Sequence, residues 1–172
     1  MERILILDEK NYPPELDEIR RVAVRGIILM EGRLLLLEDS FGNVKLPGGG
    51  MEPGEDDRAT LLREVREETG YEVLSESIRP FGEIEEKRLS AWEPKIFHQF
   101  SRLYCCDVAR DRGTCNYTET ERRLGFHLVR WTPDEAMERS RLLLQREGEQ
   151  PWNRREYHTL LLIRQRLGGG DA

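Results

Sequence analysis

Residues 46–71, which read Leu-Pro-Gly-Gly-Gly-Met-Glu-Pro-Gly-Glu-Asp-Asp-Arg-Ala-Thr-Leu-Leu-Arg-Glu-Val-Arg-Glu-Glu-Thr-Gly-Tyr, combine a glycine-rich loop, a tight turn and a helix. The turn is predicted at residues 52–55, because proline presets φ at its second position and glycine accepts the positive φ of a type II turn at its third. The helix is predicted to begin near Asp56 or Asp57, since aspartate suits an N-cap and the first helical turn. Gly70 is predicted to end it in the left-handed conformation.

On a helical wheel, this helix has an apolar side and an adjoining acidic side. The side that must face a core carries Leu61, Arg58, Leu62, Val65 and Thr69. The acidic side carries Glu64, Glu67 and Glu68. Like charges at i,i+4 cost about 0.2–0.5 kcal/mol per pair, so a positive group is predicted to offset the repulsion. A hard divalent cation with oxygen ligands is the natural candidate, and a solvated helix face is the alternative.

The spacing of this stretch resembles the Nudix box, Gly-x5-Glu-x7-Arg-Glu-U-x-Glu-Glu-x-Gly-U, in which U is a bulky apolar residue. The matching residues are Gly49, Glu55, Arg63, Glu64, Val65, Glu67, Glu68, Gly70 and Tyr71. Seven fixed identities at ordinary residue frequencies would coincide by chance about once in 10⁸ placements. Only Tyr71 departs from the pattern, because an aliphatic residue is commoner at that position.

The resemblance implies an α/β fold of the Nudix type, an α/β/α sandwich with a mixed sheet. It also implies a pyrophosphohydrolase, dependent on Mg²⁺ or Mn²⁺, that cleaves a nucleoside diphosphate linked to another moiety. Nucleoside triphosphates, ADP-ribose, dinucleoside polyphosphates and nucleotide sugars all remain open as substrates. By resemblance, the metal ligands are Glu64, Glu67, Glu68 and the carbonyl of Gly48.

Further site residues follow from the same resemblance. Glu55 and Arg63 are predicted to support the metal ligands, since an arginine fork can hold a carboxylate bidentately and fix its rotamer. The general base is either a glutamate of the helix or one from a downstream loop, where Glu121 is preferred to Glu119. Together the predicted catalytic residues are Glu64, Glu67, Glu68, Glu55, Arg63 and Glu121.

Glycines and one tryptophan are predicted to contact the substrate. Gly48, Gly49 and Gly50 allow the backbone to approach metal or phosphate without an intervening side chain. Trp92 stands in a predicted surface loop, residues 87–94, which also carries two cations. An exposed tryptophan there could stack on a base, and the alternative is that it pins the loop to its own domain.

The chain has 172 residues and a net charge of −6. This length predicts a single domain over residues 1–172, with an N-terminal extension at 1–20 and a disordered tail at 168–172. The acidic balance argues against nucleic-acid binding, which needs a basic footprint. It also favours divalent ions, because they would stand between an acidic site and a phosphate-bearing substrate.

Cysteine usage and hydropathy predict a cytoplasmic protein with no membrane association. Cys105, Cys106 and Cys115 show neither a disulfide framework nor zinc-site spacing. No signal-peptide pattern opens the chain, and no apolar run approaches membrane-spanning length. The expected partner is a small nucleotide or another diphosphate. A homodimer stays open, because the opening strand could pair within the domain or with a second subunit.

Apolar runs and turn signals give the remaining elements. Strands are predicted at residues 3–7, 22–30, 33–38, 71–74, 78–86, 95–108 and 124–131, and helices from residue 132 and over 153–166. Residues 8–20 are predicted to form a loop or a short helix, and residues 109–123 are predicted to be loop. His98 is predicted to be a structural histidine rather than a metal ligand. Glu83, Glu85 and Glu86 are predicted to face water rather than the site.

The sequence leaves three alternatives to hydrolysis. A non-catalytic Nudix domain that acts as a nucleotide-binding sensor is the main alternative. A prenyl-diphosphate isomerase of the same fold would need Cys105 or Cys106 as an acid, and no local motif supports this. A calcium-binding module is disfavoured because the sequence contains no EF-hand loop pattern.

Overall fold

A computed structural model describes residues 1–146 and 150–167. Its strands are β1 (Arg3–Asp8), β2 (Glu18–Ile27), β3 (Leu29–Met30), β4 (Arg33–Glu38), β5 (Val44–Lys45), β6 (Gly48–Gly50), β7 (Tyr71–Val73), β8 (Arg79–Leu89), β9 (Ile96–Cys105), β10 (Val108–Arg112) and β11 (His127–Trp131). Its helices are α1 (Asp57–Thr69), α2 (Glu119–Leu124), α3 (Pro133–Leu143) and α4 (Asn153–Leu167). The disordered tail predicted at residues 168–172 lies outside the described residues.

Helix α1 begins and ends where its sequence signals predict. The Asp56 side chain accepts a hydrogen bond from the Ala59 amide at 2.7 Å, and Gly70 adopts the left-handed conformation with φ of 73°. The preceding turn is closed by the Glu55 amide, which donates to the Glu52 carbonyl at 3.1 Å. These local interactions fix the direction in which the acidic side of α1 leaves the turn.

The main sheet is mixed, with five strands in the order β1-β8-β9-β2-β6. Strand β1 runs parallel to β8 and β2 runs parallel to β9, whereas β8–β9 and β2–β6 are antiparallel. The opening strand therefore pairs within the domain, at one edge of this sheet. A second, antiparallel sheet has the order β11-β4-β3, with β5 also paired to β4.

Helices cover both sides of these sheets. On one side, Leu61 and Val65 of α1 pack with Val24 of β2 in one core cluster. On the other side, Leu160 and Ile163 of α4 belong to a second cluster, together with residues of β2 and β4. Both clusters are buried, and this arrangement confirms the predicted α/β/α sandwich with a mixed sheet.

One face of the main sheet is shared between a core and a cleft. Successive side chains of a strand point to opposite faces, so Arg21, Arg25 and Ile27 of β2 lie on the same face. Ile27 belongs to the α4-side core, whereas Arg21 and Arg25 line an open cleft. On the neighbouring strand β9, Gln99 pairs with Arg21 and also lines the cleft, while Leu103 pairs with Arg25 and belongs to the core.

Several predicted boundaries differ from the structure. The stretch predicted as loop over residues 109–123 contains most of β10 and most of α2. Strand β10 pairs with β7, and no apolar run marks it because most of its side chains are exposed. The predicted glycine loop forms the short strand β6, which pairs with β2. The first residue of the predicted last strand, Leu124, belongs instead to α2, and β11 begins at His127.

The prediction that three glutamates of β8 face water is wrong. Glu86 is 3% exposed, and Arg155 of α4 donates to its carboxylate at 2.5 Å. Glu83 and Glu85 are also largely shielded, and their carboxylates pair with cationic or imidazole groups of β1 and β9. The flanking strands β1 and β9 and helix α4 supply the counter-charges that make this burial tolerable.

His98 has a structural position, as predicted. Its Nδ1 lies 2.5 Å from the Glu18 carboxylate and its Nε2 lies 2.8 Å from the Glu85 carboxylate. Both ring nitrogens therefore have partners on neighbouring strands. None of the helices in the described part of the chain combines the length and apolar character that a membrane crossing requires.

Candidate active site

The acidic side of α1 faces the glycine strand β6. The Gly48 amide donates to the Glu68 carboxylate at 2.6 Å. A Cβ atom placed on Gly49 would lie 2.5 Å from Cδ of Glu64, so only glycine leaves room for that carboxyl group. Backbone and carboxylates thus come into direct contact, as the glycine-rich sequence predicts.

Arg63 binds the carboxylates of Glu55 and Glu64. Its Nε and Nη2 donate to the two oxygens of Glu55 at 2.6 and 2.8 Å, which is a bidentate pair. Its Nη1 donates to Glu64 at 2.7 Å, and its Nη2 also reaches the Gly50 carbonyl at 3.1 Å. The hydrogen bonds from Arg63 lower the pKa of Glu55 to about 2 and raise the pKa of Arg63 itself. Arg63 therefore ties α1, the turn and β6 together.

Lys45 lies between the carboxylates of Glu68 and Glu121. Its Nζ donates to Glu68 at 2.7 Å and lies 3.4 Å from the carboxylate of Glu121. Glu68 is 2% exposed, and this burial raises its pKa to about 7 even though Lys45 and the Gly48 amide oppose the shift. A carboxylate from α2 and one from α1 thus share a single ammonium group.

Glu121 is positioned by the start of α2. Its Oε2 accepts hydrogen bonds from the amide and the hydroxyl of Thr118, both at 2.9 Å, in a capping box. Its Oε1 is the atom that faces Lys45. Glu119, the other candidate from the sequence, is exposed in the same first turn. The structure therefore brings Glu121 to the α1 carboxylates through Lys45, whereas Glu119 points into solvent.

The donor atoms on α1 suit a hard divalent cation, because Glu64, Glu67 and Glu68 all offer carboxylate oxygens. Within residues 1–146 and 150–167, however, no three acidic, histidine or cysteine side chains already converge as a metal-binding group. Arg63 and Lys45 stand between the carboxylates. The Gly48 carbonyl accepts a hydrogen bond from Arg25. The chemistry of the donors fits Mg²⁺ or Mn²⁺, and their convergence requires these cationic side chains to give way.

A cleft of about 330 Å³ adjoins this cluster and shares Lys45 and Glu121 with it. Its cationic lining residues are Arg21, Arg25, Lys45, Arg88 and Arg155. Its aromatic lining residues are Trp92, Phe97, Phe126 and Trp152. Trp92 is 71% exposed, so it does not pin its loop to the domain and its ring is free to meet a ligand. In an acidic protein, this cleft concentrates positive charge beside planar apolar surfaces.

The C-terminal helix α4 supports the floor of the cleft. Arg155 donates to Glu86 of β8 at 2.5 Å and to its neighbour Glu156 at 3.0 Å. Glu156 in turn accepts the amide of Leu46 at 3.4 Å, two residues before the glycine strand. A chain of buried charges therefore connects β8, α4 and the segment that enters β6.

The cleft residues that sequence reasoning missed include Arg21, Arg25 and Lys45. Two arginines four positions apart on a strand share a face, so Arg21 and Arg25 could have been grouped from the alternation of β2. Lys45 stands just before the glycine strand, where a cation beside acidic residues is informative. The capping box Thr118-x-x-Glu121 could likewise have predicted α2.

The buried carboxylate of Glu68 predicts a pH dependence of stability. Because burial raises its pKa from 4.5 to about 7, the folded metal-free protein holds this proton more tightly than the unfolded chain. The contribution of Glu68 to the free energy of unfolding is therefore fully present below pH 4.5 and is lost as the pH rises through about 7. Urea unfolding in EDTA at a series of pH values measures it. In Glu68→Gln the fall in the free energy of unfolding between pH 4.5 and about 7 should be absent. An unchanged pH dependence in this variant would contradict the assignment to Glu68.

Comparison with known proteins gives the following matches. The model of the NUDIX domain matches residues 19–160. The provisionally named ADP-ribose pyrophosphatase YjhB of Bacillus subtilis (strain 168) is 28% identical over 61% of this chain and 47% of its own length. This chain thus spans about half the length of that relative. Nucleoside triphosphatase NudI of Enterobacter sp. (strain 638) is 32% identical over 54% of this chain and 72% of its own length.

Solved structures show the same architecture. The crystal structure of an ADP compounds hydrolase superposes with a TM-score of 0.58 at 21% identity, and the match covers 87% of this chain and 74% of that chain. At this level of identity the likeness demonstrates a shared fold.

Proposed function

The chain belongs to the Nudix hydrolase family, and from this premise we propose that it is a metal-dependent pyrophosphohydrolase acting on a nucleoside diphosphate linked to another moiety. The observation that carries the proposal is the junction of two features. The carboxylates of α1 lie against the glycine strand, and a basic, aromatic-lined cleft opens beside them. The first feature suits divalent cations, and the second suits an anionic ligand with a planar ring.

Glu64, Glu67, Glu68 and the Gly48 carbonyl would hold Mg²⁺ or Mn²⁺. When bound, such an ion polarises a phosphoryl oxygen, lowers the pKa of a water and neutralises charge on the leaving phosphate. The protein contributes the orientation of the ligands. Arg63 fixes Glu55 bidentately, so the rotamer of Glu55 is restricted before any substrate arrives, whereas its contact with Glu64 would be given up when Glu64 turns to the metal.

Proton transfer needs a carboxylate that water can reach. The Glu67 side chain is 40% exposed and lies 3.5 Å from Arg63, so it remains accessible. Glu121 offers Oε1, which Lys45 keeps at the edge of the α1 cluster. Glu67 and Glu121 are therefore both candidates for the general base. The variant Glu121→Gln keeps the shape of the side chain, and whether it changes the pH profile of turnover distinguishes the two candidates.

Substrate orientation would come from the cleft. Trp92 is exposed beside the cationic lining, so its ring can stack on a nucleobase while the phosphates lie toward β6. The names of the relatives support two substrate classes, ADP-ribose for YjhB and nucleoside triphosphates for NudI. Both classes contain the diphosphate linkage that the α1 site would cleave.

A panel of nucleotides tests the proposal. Nucleoside triphosphates, ADP-ribose, nucleotide sugars and dinucleoside polyphosphates are each incubated with the protein in Mg²⁺ and in EDTA. We expect at least one to be split between two phosphates in Mg²⁺ and none in EDTA, because the carboxylates alone supply no electrophile. Products are identified by mass spectrometry, and phosphate is measured after added phosphatase. Tight nucleotide binding without any product would instead favour the sensor alternative.

A further inference from the structure

Two arginines of the cleft lack the counter-charges that the other cations have. Among the described residues, Lys45 pairs with Glu68 and Glu121. Arg88 and Arg155 both pair with buried Glu86. Within the same part of the chain, neither Arg21 nor Arg25 has a carboxylate within ion-pair distance. Among the described residues, Arg21 and Arg25 are thus the cleft cations without a direct ion pair, and the charges of Glu64 and Glu68 act on them only at longer range.

Arg25 is buried and incompletely hydrogen-bonded. It is 8% exposed, and its Nη1 donates to the carbonyls of Leu46 and Gly48. Its Nε is buried with no hydrogen-bond partner among the described residues. A buried guanidinium that bonds only neutral carbonyls and leaves an N–H unpaired is costly, so an anion in the cleft would stabilise it.

Arg21 extends from the same face of β2 and crosses the glycine strand. A Cβ atom on Gly50 would lie 3.1 Å from Nη2 of Arg21 and 3.3 Å from its Nε, so the guanidinium rests directly over that backbone. Although the residue as a whole is exposed, desolvation of its guanidinium and the charges of Arg25 and Arg155 lower its pKa, and the charge of Glu64 offsets only part of this effect. The two arginines therefore repel each other across the cleft, and a shared anion would remove that repulsion.

The position of this pair relative to α1 indicates which anion it takes. Helix α1 packs on the sheet face that carries Val24, whereas Arg21 and Arg25 lie on the opposite face. Strand β6 is the edge strand between them. A polyphosphate that lies along β6 would therefore place some of its phosphates at the α1 carboxylates and a further phosphate at Arg21 and Arg25.

We propose that Arg21 and Arg25 form a phosphate subsite that is separate from the α1 carboxylates and takes a third phosphate of the substrate. The inference rests on the proposed function for the scissile diphosphate. It names nucleoside triphosphates as the preferred class over nucleotides whose diphosphate ends in a sugar, since a neutral sugar would leave both guanidinium groups unpaired. Charge-assisted hydrogen bonds of this kind are worth about ten- to a hundredfold in affinity.

The first experiment needs no catalysis. Inorganic tripolyphosphate is titrated by calorimetry into the protein in EDTA, and the dissociation constant is compared for wild type, Arg21→Gln and Arg20→Gln. Arg20 is the matched control, because it is exposed, adjacent in sequence and on the opposite face of β2. We expect binding to weaken at least tenfold in Arg21→Gln and to stay within about twofold in Arg20→Gln. Equal binding by all three proteins would overturn the subsite.

The second experiment measures selectivity in Mg²⁺. For the base that the nucleotide panel selects, kcat/KM is determined for the triphosphate and for the matching diphosphate sugar. Wild type is expected to favour the triphosphate, and Arg21→Gln is expected to lower that ratio at least tenfold while Arg20→Gln leaves it unchanged. A wild-type preference for the sugar, or an unaltered ratio in Arg21→Gln, would refute the third-phosphate assignment.

The two experiments separate the inference from the proposed function. If tripolyphosphate binds through Arg21 but no nucleotide is hydrolysed, the hydrolase proposal fails and the anion subsite stands. If nucleotides are hydrolysed and Arg21→Gln behaves as Arg20→Gln in both assays, the subsite fails and the hydrolase proposal stands. Arg21 is the position to change, because Arg25 also holds the backbone carbonyls of Leu46 and Gly48.

Discussion

Glu67→Gln is expected to lower turnover at least about a hundredfold while the free energy of unfolding stays within about 1 kcal/mol of wild type. The Glu67 side chain is 40% exposed, and its one ion pair in the described structure is the 3.5 Å contact with Arg63. The fold therefore gains little from its charge. A glutamine keeps the shape of the side chain but replaces one carboxylate oxygen by an amide nitrogen, which cannot ligate Mg²⁺.

The measurement compares kcat in saturating Mg²⁺ with urea unfolding of the same preparations. Glu72→Gln is the control, because Glu72 is 68% exposed just beyond the helix and pairs with Arg66 at 3.7 Å, and its turnover should be that of wild type. Glu68→Gln is expected to lose turnover similarly, although its buried contact with Lys45 makes it a less selective change. Full activity of Glu67→Gln in Mg²⁺ would show that the metal ions are held elsewhere.

Gly48→Ala is expected to lower the free energy of unfolding by about 3 kcal/mol or more and to abolish turnover. Gly48 has φ of 134°, a conformation that an L-residue rarely adopts. A Cβ atom there would also overlap the backbone carbonyl of Val24 and lie 2.8 Å from Cα of Arg25. Strand β6 would have to separate from β2, and the amide that contacts Glu68 would move with it.

Gly54→Ala separates the two causes. Gly54 has φ of 88°, but a Cβ atom there would meet nothing within 4 Å, so this variant carries the backbone strain without the overlap. We expect it to cost about 1 kcal/mol in urea unfolding and to retain activity. Equal losses of stability in the two variants would mean that the close approach of β6 to β2 is not what requires glycine at position 48.

The helix at the centre of the site could be predicted in detail because all of its signals are local. Asp56 caps it, Gly70 ends it, and the spacing of Glu64 and Glu68 by one turn places both carboxylates on one side. The run Leu34–Leu37 predicts a strand buried on both faces, and the structure buries all four residues. Each of these inferences needs only a few neighbouring residues.

The parts that could not be predicted depend on partners far away in the chain. Glu86 looks like a surface charge in the sequence, and it is buried because Arg155 reaches it from α4. From the sequence alone, a metal ion is the favoured positive group to offset the glutamates of α1. In the structure Arg63 and Lys45 already offset part of that charge, and the position of Lys45 follows from the pairing of β5 with β4.

The hydrogen bond from the Leu46 amide to Glu156 implies that the Nudix box cannot be transferred to another protein by itself. A graft of residues 46–71 onto a foreign scaffold would carry the glutamates but not the α4 carboxylate that steadies the entry to the glycine strand. It would also leave behind Lys45, which pairs with the buried carboxylate of Glu68. The geometry of the box therefore depends on the last helix, and the smallest unit that could be moved intact is the whole sandwich.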